Sequence, residues 1–222
     1  MGKNKHARFL ENATFRCLYQ PPFEEVFGKD HHLKGRWNSA VFDREAPICL
    51  ELGCGKGEYT LALARKYPDR HFIGVDIKGA RLWRGAKTAS EEALSNVAFL
   101  RTRIECIDSF FAQDEVHEIW ITFPDPQIKK ARKRLTHLLF LARYRTFLHP
   151  SASIHLKTDS RELFDFTYEQ AIAMNYTILH ACTDIYGSRA DQEIDILRVQ
   201  TFYEKQYIIQ GKSITYLAFC LS

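Results

Sequence analysis

From Pro47 to the C-terminus, short apolar runs alternate with longer stretches of helical period, a rhythm that few folds accommodate. ICLEL, HFIGVDI, VAFLR, EIWITF and ASIHLK are nearly continuous in apolar residues, as strands buried on both faces are. Between them, stretches beginning near Glu58, Ala80, Leu135 and Arg161 carry apolar residues at helical spacing. Strands joined through helices in this way build a doubly wound, mostly parallel α/β sheet. The last third adds NYTILHACTD, a helical LRVQTFYEKQYIIQ and a closing strand, SITYLAFCL.

Residues 47–222 are expected to form one domain, since 222 residues suffice for a full core. Residues 1–46 read as a basic N-terminal extension, partly irregular: the first residues resemble a mobile polar tail, and Pro21-Pro22 and KDHHLKGRWN favour loops. With 45% hydrophobic and 26% charged residues, disordered and fibrous classes are excluded. No stretch has the length and apolarity of a signal peptide or a membrane span, so a protein of the cytoplasm is expected. The six cysteines show no C-x-x-C pair and no metal-site spacing, which fits free thiols in a reducing compartment and no metal. A net charge of +4 permits a polyanionic partner without demanding one.

The first strand runs directly into Glu51-Leu-Gly53-Cys-Gly55-Lys-Gly57. Glycines at alternate positions allow a tight turn and close approach of a ligand to the backbone, at the strand end where such sheets bind ligands. The spacing is neither that of a Walker A loop nor G-x-G-x-x-G, so the turn is not built for a pyrophosphate. Acids flank it instead: Glu51 precedes the turn and Asp76 ends the second strand, placed to accept hydrogen bonds from ribose hydroxyls. A ligand with a ribose, no phosphate and a cationic centre suits this loop, and S-adenosylmethionine has all three properties. The competing reading makes Glu51 a turn cap and Asp76 a helix cap.

ITFPDPQIKKARKRL, residues 121–135, sets Asp125 between two prolines and then places Lys129, Lys130, Arg132, Lys133 and Arg134 within a few residues. Prolines limit backbone freedom around the acid, and the cations are suited to RNA phosphates. Lys3, Lys5, Arg8 and Arg16 extend the basic character to the N-terminal segment, where solubilisation is the plainer reading.

In order, LELGCGKG, GVDIK, TFPDP, KK, HLKTD and TFYE resemble the bacterial single-chain tRNA (guanine(46)-N7)-methyltransferases over residue 47 to the end. The resemblance implies a class I methyltransferase sheet, Rossmann-like, with seven strands and the last antiparallel. It also implies methyl transfer from S-adenosylmethionine to a guanine N7 in the tRNA variable loop, by a monomer or homodimer. It assigns Glu51, Gly53, Gly55, Gly57, Asp76 and Asp125 to the cofactor, with Asp125 also at the reaction centre. Lys129, Asp159, Thr201 and Glu204 fall to the substrate, and Lys130, Arg132, Lys133 and Arg134 to RNA phosphates. The nearest alignment puts Arg103 where the family commonly has an adenine-contacting acid, with Glu105 two residues on, and Gln127-Ile128 replaces the usual Trp-Pro. Locally, Asp159 also fits the N-cap of SRELFDF, and Thr201 and Glu204 would share one helix face. Another class I methyltransferase, acting on a different RNA, a small molecule or a protein, stays open beside this reading. So does an RNA-binding relative without turnover.

Overall fold

The computed structural model describes residues 2–188, 190 and 194–221, with side chains from His6 onward. The side chains of Lys3 and Lys5 lie outside the described residues. Where the sequence suggests a mobile tail, Gly2–Asn12 form a helix, α1, followed by a two-residue strand, β1 (Leu18–Tyr19), and a single helical turn, α2 (Phe23–Val26). The alternation then begins: β2 (Ile48–Leu52), α3 (Glu58–Lys66), β3 (His71–Asp76), α4 (Gly79–Glu91), β4 (Val97–Arg101), β5 (Val116–Thr122), α5 (Leu138–Arg145), β6 (Leu148–Thr158) and α6 (Arg161–Ala173). The chain closes with β7 (Thr177–Cys182), α7 (Phe202–Ile209) and β8 (Thr215–Cys220). Among the described residues no helix is long and apolar enough to cross a membrane.

The sheet order is β1-β4-β3-β2-β5-β6-β8-β7. The strands from β4 to β6 are parallel, and β8 lies antiparallel between β6 and β7. All seven expected strands are present. The eighth, β1, pairs Leu18 with Phe99 and Tyr19 with Leu100 at the sheet edge, too short a run for periodicity to reveal. Every residue of β2 and β3 is buried. Their side chains alternate between two apolar layers, as the pleat requires. Leu50, Ile73, Leu100 and Ile119 face Trp37, Phe110, Leu141 and Leu163 in one layer. Cys49, Phe72, Phe99 and Trp120 face Tyr59, Leu61 and Leu82 in the other. Trp37 and Phe42, from the stretch expected to be irregular, are therefore part of the main core.

Several boundaries move for local reasons. α5 starts at Leu138, not near Leu135, because the His137 ring accepts from the Leu139 amide and caps the helix there. The expected helix LRVQTFYEKQYIIQ begins only at Phe202, with Thr201 as its N-cap accepting from the Glu204 amide at 3.3 Å. α1 is held by tertiary contacts: Asn12 donates to the Gly79 carbonyl at 3.0 Å, and Glu11 accepts from the Trp83 indole at 2.7 Å and from Lys87 at 3.1 Å. The parallel strands end within about two residues of one another, so Glu51, Asp76, Arg101, Thr122 and Thr158 all lie near one edge of the sheet.

Candidate active site

The turn after β2 carries Gly53 at φ +81° and Gly55 at φ +58°, a region that costs other residues energy. A Cβ at either position would meet nothing within 4 Å, so the space over the backbone is open. The Gly55 amide donates to Asp76 Oδ2 at 2.9 Å, and the Lys78 amide donates to Asp76 Oδ1 at 2.7 Å. Asp76 thus ties the glycine turn to the end of β3. It does not cap α4, whose N-cap, Lys78, has no side-chain cap. Each carboxylate oxygen keeps a lone pair for a further donor.

Glu51 is 2% exposed at the end of β2. Its Oε1 accepts from the Thr122 hydroxyl at 2.6 Å, and its Oε2 accepts from the Thr60 amide at 2.8 Å and from the Thr60 hydroxyl. Burial pushes its carboxyl up to about 7, the Thr122 and Thr60 donors pull partly the other way, and the nearby Asp76 pushes up again. Beside Glu51 lies a cavity of about 90 Å³ lined by Gly53, Gly55, Tyr59, Thr122, Phe123, Thr201, Phe202 and Tyr203. A cleft of about 790 Å³ follows the same edge past Asp76, walled by Phe9, Ile77, Gly79, Arg81 and Arg101. These residues fit a nucleoside with a cationic group: an open backbone cradle, a carboxylate at the strand end, a buried acid and an apolar wall.

Asp125 stands exposed in the loop after β5, its Oδ1 accepting from the Gln127 amide at 3.0 Å. It lies on the same sheet edge but lines neither recess. The loop bends through Phe123 at φ +47° and Gln127 at φ +48°, a conformation that costs such residues energy and persists only where surrounding structure holds it. Arg134 supplies part of that hold. It is 4% exposed, donates to the Pro126 carbonyl at 3.0 Å, pairs with Glu162, and lies 4.5 Å over the Phe166 ring. This corrects its place among the phosphate contacts: it is a strut of the loop, while Lys129, Lys130, Arg132 and Lys133 are exposed.

Other sequence-singled residues are dispersed. Arg103 is exposed and its guanidinium lies 5.1 Å over the Phe23 ring; it lines neither recess, and Arg101, in register with Asp76, walls the cleft instead. Asp159 pairs with Lys212 at 2.6 Å, and Ser160, not Asp159, caps α6 by accepting from the Leu163 amide. Thr201 lines the cavity. Glu204 points away from solvent and is fully buried, and its carboxylate meets Lys157 at 2.8 Å and accepts from the Tyr186 hydroxyl at 2.7 Å. Lys157, also fully buried, donates to the carbonyls of Leu197 and Val199 at 2.8 and 3.0 Å. The pair joins the motifs HLKTD and TFYE inside the protein and seats α7 against β6. Sequence reasoning missed Lys157, Arg81, Arg101, Phe202 and Tyr203. Lys157 is the one whose sequence context, an apolar strand, signals a buried charge in need of a partner.

The family model Methyltransf_4, described as "Putative methyltransferase", matches residues 45–217. A protein of Christiangramia forsetii named tRNA (guanine-N(7)-)-methyltransferase is 52% identical over 220 residues, covering 98% of this chain and 98% of its own. A protein of the same name from Bacteroides fragilis is 47% identical, covering 100% of this chain and 87% of its own. Among solved structures, the 16S rRNA methyltransferase KamB is similar with a TM-score of 0.63 at 15% identity, covering 83% of this chain and 92% of its own. A SAM-dependent methyltransferase from Aquifex aeolicus gives a TM-score of 0.53 at 13% identity, over 80% of this chain and 84% of its own. At those identities the structural likenesses speak for the fold alone.

Proposed function

The chain belongs to the tRNA (guanine-N7)-methyltransferase family, and from that premise we propose how its own residues divide the work of methylating N7 of a guanine in tRNA. When bound, S-adenosylmethionine supplies a methyl group on a positively charged sulfur. Guanine N7 presents a lone pair with no proton to remove, so the protein needs alignment and well-placed negative potential more than a general base.

The observation that carries this division is the open cradle at Gly53 and Gly55 beside Asp76, where a nucleoside can lie directly on backbone. Asp76 takes the ribose hydroxyls while keeping the turn closed. Ile77 and Arg101 wall the adenine side, and Glu51 presents negative potential to the cationic end. Thr201, at the α7 N-cap and on the cavity wall, faces the substrate side. Asp125, fixed between prolines and held through Arg134, stabilises positive charge growing on the purine. Lys129, Lys130, Arg132 and Lys133 hold phosphates of the tRNA, and the variable loop is the target region by family resemblance. Such a substrate places the enzyme's work in the cytoplasm.

The test is single-turnover transfer of labelled methyl to tRNA. Asp125→Asn keeps the side chain's size and one acceptor oxygen, so tRNA and cofactor binding should persist while the methylation rate falls by roughly two to three orders of magnitude. A near-wild-type rate in this variant would remove Asp125 from the reaction centre. No labelled tRNA from the wild type would reject the function itself.

A further inference from the structure

A second basic surface flanks the site on the side away from the Asp125 loop. We propose that the cleft between α1, α3 and α4, centred on Arg8, Lys56, Arg81 and Arg84, is a second groove for the tRNA ribose–phosphate backbone. This rests on the proposed function and extends it to a surface that no motif marks. The cleft encloses about 770 Å³, and its rim also carries Trp83 and Arg65. Arg65 is committed to Glu92 at 2.7 Å, but Arg8, Lys56, Arg81 and Arg84 form no ion pair among the described residues. The one acid of the lining, Glu58, is engaged by the Phe202 amide at 2.6 Å. Glu11, close to Arg8, bonds Trp83 and Lys87 instead.

Four cations with no ion pair among the described residues outnumber the charge of Glu58 around one concave surface, and an incoming polyanion relieves their mutual repulsion while releasing its counterions. The position adds to the charge. Lys56 and Arg81 also line the cofactor cavity beside Glu51, so a phosphate in the cleft sits close to where the reacting base must approach the methyl group. α4 packs on one layer of the sheet, whereas Arg134 ties the Lys129–Lys133 loop to α6 on the other. Two basic surfaces in different layers then straddle the reacting base, one on each side of the chain that presents it. The Trp83 ring, with Arg8 at 4.5 Å and Lys87 at 5.1 Å, stiffens the rim by cation–π contact.

The experiment uses the full chain and unmodified tRNA, with affinity measured across salt concentrations. Arg8→Gln/Arg84→Gln should make the log–log salt slope shallower by about 1.5, so that wild-type affinity drops roughly tenfold further than the variant's over a fourfold rise in salt. Cofactor affinity, read by calorimetry, should not change, because neither residue lines the cofactor recesses. Arg84→Glu alone, at an exposed helical position, gives the same reading if Arg8→Gln loosens α1, and should weaken tRNA binding without altering the melting temperature. A wild-type slope and affinity in Arg84→Glu overturns the groove. Loss of cofactor affinity in Arg84→Glu also overturns it, assigning the cleft to the cofactor. A wild type that neither binds nor methylates tRNA sinks the function together with the groove; one that does both beside variants of unaltered slope sinks the groove alone.

Discussion

Replacing Glu51 with Gln removes a charge that the fold itself opposes. Burial holds the Glu51 carboxyl up at about 7 against an ordinary value of 4.5, even with the Thr122 and Thr60 donors pulling it down. Between these two pH values the unfolded chain has released the proton and the folded chain still holds it. Stability therefore falls as pH rises through that window, and above the folded value the full cost is present. The gap of about 2.5 pH units converts to roughly 3 kcal/mol at 1.36 kcal/mol per unit. A Gln oxygen can still accept from the Thr60 amide and its NH2 can donate to the Thr122 hydroxyl, with no proton to lose. Glu51→Gln should thus gain on the wild type by roughly 3 kcal/mol as pH is raised from about 4.5 to about 8 in urea unfolding. A cationic ligand favours the ionised carboxylate, so wild-type cofactor affinity should fall with pH below about 7 by up to tenfold per unit. The Gln variant should show no such fall, and at about pH 8 should bind roughly tenfold to a hundredfold more weakly. Parallel stability curves for the two proteins, or a wild-type affinity flat over this range, would refute the reasoning.

Two further outcomes test the supports around the site. Lys157→Met leaves the Glu204 carboxylate buried without its cation and should cost about 3–5 kcal/mol of stability in urea unfolding; Lys157→Met/Glu204→Leu should recover part of it, the bonds to the Leu197 and Val199 carbonyls and from the Tyr186 hydroxyl staying lost, and a double variant no better than the single would show that the uncompensated charge is not the reason. Replacing Lys130, Arg132 and Lys133 with Ala should flatten the salt dependence of tRNA binding by about 2–3 in log–log slope while cofactor affinity holds, and an unchanged slope would mean that the loop is solvated and RNA docks elsewhere.

What was legible in the sequence is what depends on periodicity and short-range motif. β2 and β3, buried throughout, leave a nearly continuous apolar signature that a helix of similar length does not need. The glycine turn and Asp76 sit where strand ends must lie in such a sheet, and their meeting through the Gly55 amide follows from the parallel register of β2 and β3. Contacts across long sequence separations were not legible. α1 has a polar composition and no capping signal, and it is held by docking, chiefly onto Gly79, Trp83 and Lys87 of α4. Trp37 reaches the core from a stretch rich in loop formers because its indole donates to the Phe110 carbonyl, 73 positions on, at 2.8 Å.

The same division separates the residues of the site. Sequence alone determined the doubly wound sheet, the edge where the glycine turn lies and the acids along it, because each is set by alternation or by a neighbour a few residues away. Tertiary structure decided which charges face outward. Arg134 and Glu204 sit in motifs that read as substrate-facing, yet one is buried against Phe166 and Glu162 and the other against Lys157. A buried charge is tolerated only where a partner meets it, and those partners lie 28 and 47 positions away, brought together by strand order and helix packing that no local pattern encodes.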